Sequence, residues 1–134
     1  DQLVGRMAAV VHLDTHVVAW LFAGDRERLP RAVRRLIERN SLAISPMVEL
    51  ELQYLFEIGR TTQPGRVVVH DLADRIGLGV SDSPFPRVVA GAAQLDWTRD
   101  PFDRLIVGQS LVDGARLVTR DTTIRKHCRT ATWD

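Results

Sequence analysis

The chain has 134 residues, a length typical of one domain, and its 45% hydrophobic and 26% charged residues are ordinary for a globular protein. A net charge of +1 excludes a strongly basic field over the whole molecule, although 17 of the 18 basic residues are arginine. The single cysteine, Cys128, cannot form an internal disulfide, and no apolar run is long enough to span a membrane. We therefore expect a cytoplasmic protein that does not contact membranes.

Apolar runs and helix-boundary residues alternate along the chain. Strands are predicted at 8–13, 42–45, 77–80 and 115–119, and the tail 130–134 is a candidate for a fifth. Helices are predicted at 15–22, 30–40, 46–59, 65–76, 86–95, 100–113 and 122–127. This alternation predicts an α/β fold in which helices cover both faces of a central, mainly parallel sheet.

Asp14 and Asp121 occupy equivalent places in this pattern. Asp14 follows the apolar run AAVVHL and precedes a helix, and Asp121 follows ARLVT through Arg120 and precedes a second helix. In parallel sheets the functional crevice lies at the carboxyl ends of the strands, where both side chains are expected. Taken alone, each is better explained as an N-cap that accepts hydrogen bonds from free helix amides.

Glu51 is harder to explain as a structural residue. On the helical wheel of residues 46–59, Glu49, Gln53 and Glu57 form a polar stripe predicted to face solvent, whereas Glu51 falls within the apolar arc. A carboxylate buried there costs several kcal/mol unless a cation or hydrogen bonds compensate it. A buried arginine and a metal ion both supply that compensation, and we interpret Glu51 as a metal ligand.

The segment RDPFDRLIVGQS places two acids at the start of one helix. Asp100 is the expected N-cap and Pro101 the first helical residue. Asp103 is then the third residue, where the helix dipole favours a carboxylate, but it also borders the apolar side of the helix. We interpret Asp100 as a capping and supporting residue and Asp103 as a candidate ligand.

Four carboxylates converging on one sheet edge repel one another and raise each other's pKa values. Mg²⁺ or Mn²⁺ removes this penalty, because both ions take oxygen ligands. Such ions activate water and stabilise charge on a phosphoryl group. The sequence therefore predicts a catalytic metal site, with Arg104 or Arg120 near the substrate phosphates. The four carboxylates are those of Asp14, Glu51, Asp103 and Asp121.

Four segments carry a family resemblance: VVHLDTHVVAWL, ISPMVELELQYLFEIGR, DPFDRLIVGQS and ARLVTRD. In this order they resemble the PIN-domain nucleases, and more closely the VapC toxins of VapBC toxin–antitoxin pairs. The resemblance covers residues 7–134 and leaves 1–6 as an N-terminal extension or an expression remnant. It implies a three-layer α/β/α fold, Mg²⁺- or Mn²⁺-dependent cleavage of RNA, dimerisation, and inhibition by a cognate VapB-like antitoxin.

The resemblance also implies roles for individual residues. Thr15 and Thr119 are similar to small polar residues that support the acids, whereas His16 stands where the family often has a small or amide residue. The second motif contains Glu49 beside Glu51, so both glutamates are candidates there. The family's four acidic motifs fall, in chain order, on Asp14, Glu51, Asp103 and Asp121.

Other functions fit the residues less well. A PIN-like module that binds RNA or protein without catalysis does not need all four acids. A receiver domain or a haloacid-type phosphatase needs a second acid near Asp14, where His16 stands instead. The histidines show no zinc spacing with one another or with Cys128. No nucleophilic serine motif or phosphate-binding glycine loop is present.

Two further expectations concern aromatic residues and surfaces. Trp20, Trp97 and Trp133 are expected in the core or in an interface rather than as platforms for base stacking. The apolar stretch 17–22 and the arginine-rich helix within 30–40 exceed what a small active site requires. The family resemblance implies that one of these surfaces forms a homodimer and that another holds an antitoxin segment.

Overall fold

A computed structural model describes residues 9–134, so the expectation for residues 1–6 lies outside the described part of the chain. Five strands form one parallel sheet of order β3-β2-β1-β4-β5. They are β1 (Val10–Leu13), β2 (Ser41–Ile44), β3 (Gly79–Val80), β4 (Arg116–Val118) and β5 (Ala131–Thr132). The helices are α1 (Thr15–Ala23), α2 (Arg31–Arg39), α3 (Pro46–Glu57), α4 (Gly65–Ile76), α5 (Phe85–Ala93), α6 (Pro101–Val112) and α7 (Thr122–His127), and a 3₁₀ turn spans Arg26–Arg28. The predicted α/β architecture is confirmed.

Both faces of the central strand β1 are covered. Side chains alternate between the two faces of a strand, so Val11 and Leu13 point to one side and His12 to the other. All three are at most 1% exposed. Layers of helices on both sides of the sheet explain this burial. Among residues 9–134, no helix is both long and apolar enough to cross a membrane.

A polar cluster joins β1 to the carboxyl end of α6. His12 Nε2 lies 2.8 Å from Asp113 Oδ2, and the hydroxyls of Ser81 and Ser83 donate to the same carboxylate. Burial lowers the pKa of His12 although Asp113 opposes this, so the imidazole is neutral at pH 7. The three donors satisfy the Asp113 carboxylate and fix the segment after β3 against β1.

Most of the polar stripe on α3 is partly covered, although it was predicted to face solvent. Glu49 and Gln53 are half-buried against the start of α4, where the Gly65 amide donates to Gln53 Oε1 at 3.1 Å. Only Glu57 is exposed. The prediction was wrong because a helical wheel groups residues by face but does not tell which neighbouring element covers that face.

The apolar residues of α1 and α3 also depart from expectation. Val17 and Val18 are fully buried, so this part of the VVAWLF surface proposed for partners belongs to the core. In contrast, Leu50, Tyr54 and Ile58 are about half exposed and form one apolar ridge at four-residue spacing. An exposed apolar ridge therefore lies on α3, whereas residues 17–18 offer none.

Candidate active site

Asp14 lies directly beyond β1 and is 7% exposed. Its amide donates to the Val118 carbonyl at 3.0 Å, which places it beside the end of β4. Its Oδ1 accepts from the Thr15 amide at 2.8 Å, and its Oδ2 accepts from the Thr119 hydroxyl at 2.6 Å. Asp14 therefore caps α1 and is held by the neighbouring strand.

Glu51 reaches the same place from α3. The Thr15 hydroxyl donates to Glu51 Oε1 at 2.5 Å, so Thr15 connects Glu51 to the residue that follows Asp14. Within residues 9–134, no arginine or lysine forms an ion pair with Glu51. The structure therefore supplies a hydrogen bond and no buried arginine as compensation for this carboxylate.

Asp121 and Thr119 complete the β4 side of the site. The Thr119 hydroxyl accepts from the Asp121 amide at 3.0 Å while it donates to Asp14. Asp121 Oδ1 caps α7 by accepting from the Ile124 amide at 2.9 Å. Thr119 thus fixes two acids at once, and both threonines contact the acids that they were expected to support.

Asp100 and Asp103 enter from the start of α6. Asp100 Oδ1 accepts from the amides of Phe102 at 2.8 Å and Asp103 at 3.5 Å, as expected of an N-cap. The half-buried Asp103 lies about one turn further along α6. Burial is the main cause of the raised pKa of Asp103, and the negative charges of the neighbouring acids raise it further.

The electrostatics of the site follow from burial and from this crowding. Burial raises the pKa of Asp103 to about 7, and the negative charges of Asp100, Asp14, Asp121 and Glu51 add to the increase. Burial also raises the pKa of Asp14, against hydrogen bonds from Thr119 and the amide of Thr15. It raises the pKa of Glu51 in the same way, against the hydrogen bond from Thr15. Burial is therefore the main reason why these carboxylates are difficult to ionise.

The donor set fits a hard divalent cation, since it offers carboxylate oxygens that are short of counter-charge. Among the described residues, however, no three histidine, cysteine, aspartate or glutamate side chains are close enough together to enclose a metal ion. The carboxylates repel one another but are not drawn into one coordination sphere. An ion held here would need side-chain rotation, with water or substrate oxygens as further ligands.

An open cleft of about 430 Å³ is lined by two of the acids, Asp14 and Asp121. Arg120 lines it, as expected of a residue near substrate phosphates, whereas the Arg104 Nε donates to the Thr98 carbonyl at 2.8 Å and does not line it. His16, Trp20 and Thr122 also line the cleft and were not predicted as site residues. The spacing of His16 and Trp20 from Asp14 on one helix was the available signal.

The fold and the site together define an α/β protein with an acidic cleft at the carboxyl edge of its sheet. A sequence model of the PIN domain matches residues 11–129. The chain is 32% identical over 120 residues to Ribonuclease VapC22 of Mycobacterium tuberculosis, a match that covers 87% of this chain and 91% of that protein. The chain belongs to the PIN-domain family, and its resemblance to VapC proteins is confirmed.

Solved structures agree on the fold. VapBC2 of Rickettsia felis, bound to a DNA fragment from its promoter, matches with a TM-score of 0.68 and 19% identity over 93% of this chain and 99% of that one. VapBC-1 of nontypeable Haemophilus influenzae matches with a TM-score of 0.63 and 16% identity, over 93% of this chain and 96% of that one. A toxin–antitoxin complex of Klebsiella pneumoniae matches with a TM-score of 0.62 and 14% identity, over 91% of this chain and 95% of that one.

Proposed function

We propose that this chain is a toxin endoribonuclease that hydrolyses RNA phosphodiester bonds with Mg²⁺ or Mn²⁺ and is inhibited by a VapB-like antitoxin in the cytoplasm. One observation carries the proposal: carboxylates from separate elements crowd one edge of the sheet, and Asp103 there has a pKa of about 7. A stable fold gains nothing from such crowding, which costs free energy unless a cation binds. Membership of the PIN-domain family supports the same conclusion.

Each residue has a distinct proposed role. Asp14, Glu51, Asp103 and Asp121 would hold the cation, which when bound supplies activation of water and stabilisation of phosphoryl charge. Thr15 and Thr119 orient the Glu51 and Asp14 carboxylates through the hydrogen bonds at 2.5 and 2.6 Å. Asp100 supports the site by capping α6 beside Asp103.

The nucleophile proposed is water. It attacks phosphorus, the P–O3′ bond breaks, and the leaving oxygen takes up a proton, which leaves a 5′-phosphate and a 3′-hydroxyl. Arg120, exposed at the rim of the cleft, contacts substrate phosphates, and Arg104 has a weaker claim because Thr98 already binds its guanidinium. His16 lines the cleft but makes no hydrogen bond to an acid among the described residues.

The experiment is cleavage of an RNA panel with Mn²⁺, with Mg²⁺ and with EDTA, followed by analysis of the RNA ends. We expect cleavage only with a divalent ion and only 5′-phosphate and 3′-hydroxyl ends. Full activity in EDTA, or 2′,3′-cyclic phosphate ends, would exclude the water mechanism. Mapping of RNA ends in cells that express the chain would identify the substrate.

Two surfaces support the proposed protein partners. The exposed ridge of Leu50, Tyr54 and Ile58 supports a homodimer, because exposed apolar patches commonly mark interfaces. Sedimentation at micromolar concentration should show a dimer, and Tyr54→Glu should shift it to a monomer. A monomeric unmodified chain would contradict the dimer. An apolar groove of about 290 Å³ between α1 and the segment after α3 supports an antitoxin segment.

A further inference from the structure

Trp20 lines the acidic cleft and lies beside two arginines, of which Arg120 also lines the cleft. The guanidinium carbon of Arg28 lies 5.5 Å from the centroid of the Trp20 ring, and that of Arg120 lies 5.8 Å from it. Arg28 is paired with Asp25 at 3.0 Å. Within residues 9–134, Arg120 has no carboxylate partner, so its charge is available to a ligand.

The Trp20 ring packs against neighbouring residues. It is half-buried and packs against the core, and the ring of Trp133 lies 5.9 Å from it, centroid to centroid. The His16 ring lies 6.1 Å away on the same helix. The part of Trp20 that lines the cleft is therefore a rigid aromatic surface next to Asp14 and Asp121. Trp20 was expected in the core or in an interface; it packs against the core and also lines the cleft.

This combination is the chemistry that binds single-stranded nucleic acid. Phosphates are repelled by the acids of the cleft, so an RNA strand needs cations and a contact that does not depend on charge. Arg120 supplies a cation, and stacking of a base on the Trp20 indole supplies the contact that does not depend on charge. The cleft volume of about 430 Å³ lies within the range of small-molecule sites.

We propose that the Trp20 cleft binds the RNA nucleotide adjoining the scissile phosphate, with its base stacked on Trp20 and a flanking phosphate bound by Arg120. The proposal rests on the proposed function and adds a substrate subsite to it. Base stacking on an aromatic ring is stronger than an exposed cation–π contact, so an entering base displaces a guanidinium. The displaced arginine then turns to a phosphate.

Binding tests the subsite apart from cleavage. The protein is titrated into a fluorescein-labelled single-stranded RNA, and binding is followed by fluorescence anisotropy. EDTA is present so that the proposed metal-dependent cleavage does not occur. We expect Trp20→Leu to weaken binding about tenfold and Trp20→Phe to stay near the unmodified affinity, because phenylalanine still stacks. The control is Trp97→Phe, since Trp97 stacks on His127 at 5.1 Å outside this cleft. Thermal midpoints verify that each variant is folded.

Fluorescence gives a second readout. In the double variant Trp97→Phe, Trp133→Phe, emission comes from Trp20 alone, and saturating RNA should quench it while inorganic polyphosphate should not. Equal RNA affinity of the leucine and unmodified proteins, or unchanged Trp20 emission, would overturn the subsite. RNA binding through Trp20 with no cleavage in Mn²⁺ would sustain the subsite and refute the proposed catalysis. Normal cleavage with an unchanged KM in Trp20→Leu would refute the subsite alone.

Discussion

Asp103 is predicted to destabilise the metal-free protein, so its removal should stabilise the fold while it destroys the site. The pKa of Asp103 is about 7 in the folded chain and 3.8 in the reference state. Each pKa unit corresponds to about 1.4 kcal/mol, which gives an upper limit of about 4 kcal/mol for the cost of ionising Asp103 in the fold. Because solvent screens a half-buried group at an open cleft, we take about 2 kcal/mol as the expected effect.

The pH dependence follows from the direction of the shift. A raised folded-state pKa means that the native state holds the proton more tightly than the unfolded chain does. The contribution of Asp103 to the free energy of unfolding is therefore fully present below pH 3.8. It is lost as the pH rises from 3.8 through about 7. The side-chain amide introduced by Asp103→Asn never ionises. The variant should therefore match the unmodified protein near pH 4 and exceed its free energy of unfolding by the full amount at pH 8.

Urea denaturation in EDTA, followed by circular dichroism between pH 4 and pH 8, measures this difference. For a domain of this size, about 2 kcal/mol corresponds to roughly 7 °C in the thermal midpoint. Adding Mn²⁺ should reverse the order, because the unmodified site gains binding free energy that the variant lacks. Asp74→Asn, at an exposed position on α4, is the control and should change neither quantity. Equal stability of Asp103→Asn and the unmodified chain at pH 8 would refute the raised pKa of Asp103 and its cost to the fold.

Three further substitutions test other parts of the site and its support. Glu51→Gln should abolish RNA cleavage while Glu49→Gln leaves it nearly intact; comparable losses in rate would overturn the choice of Glu51. Gly65→Ala should lower the free energy of unfolding by about 1–3 kcal/mol, because the new Cβ would lie 2.3 Å from the Glu49 carbonyl oxygen. The control Gly91→Ala meets only ordinary contacts and should be neutral or stabilising. Urea titrations measure both effects. Thr119→Val should cost about 1–3 kcal/mol and weaken Mn²⁺ binding in calorimetric titration, because Asp14 loses a donor within a buried site. Unchanged Mn²⁺ affinity would limit Thr119 to a structural role.

Local chemistry explains why the sequence predicted so much of the fold. Apolar runs that end in an aspartate mark both the end of a strand and the cap of the next helix, so the end of β1 and the start of α1 follow from Asp14 alone. Pro46 and Pro101 likewise sit at the first turn of α3 and α6. These signals lie within a few residues of the feature that they define.

What the sequence did not predict depends on contacts between distant elements. Periodicity found the face of α3 that carries Glu49 and Gln53, but only the fold shows that α4 covers it. The same limit hid the contacts of Trp20 with Arg28 and Arg120, which come from two other segments. Spacing along α1 could place Trp20 near Asp14, but only the fold shows which arginines lie beside its ring.

Asp121 shows that capping and metal binding are not competing explanations. Its Oδ1 accepts from the Ile124 amide, which leaves the second oxygen for a ligand. Asparagine caps helices as well as aspartate but binds cations poorly, so Asp121→Asn should keep the midpoint measured in EDTA and reduce the increase caused by Mn²⁺. Asp121→Ala should lower the midpoint in EDTA and also reduce the increase caused by Mn²⁺, with about 1 kcal/mol of stability lost through removal of the cap. If Asp121→Asn retains the full Mn²⁺ effect, Asp121 is a cap alone, and the metal site must be built from the remaining three carboxylates.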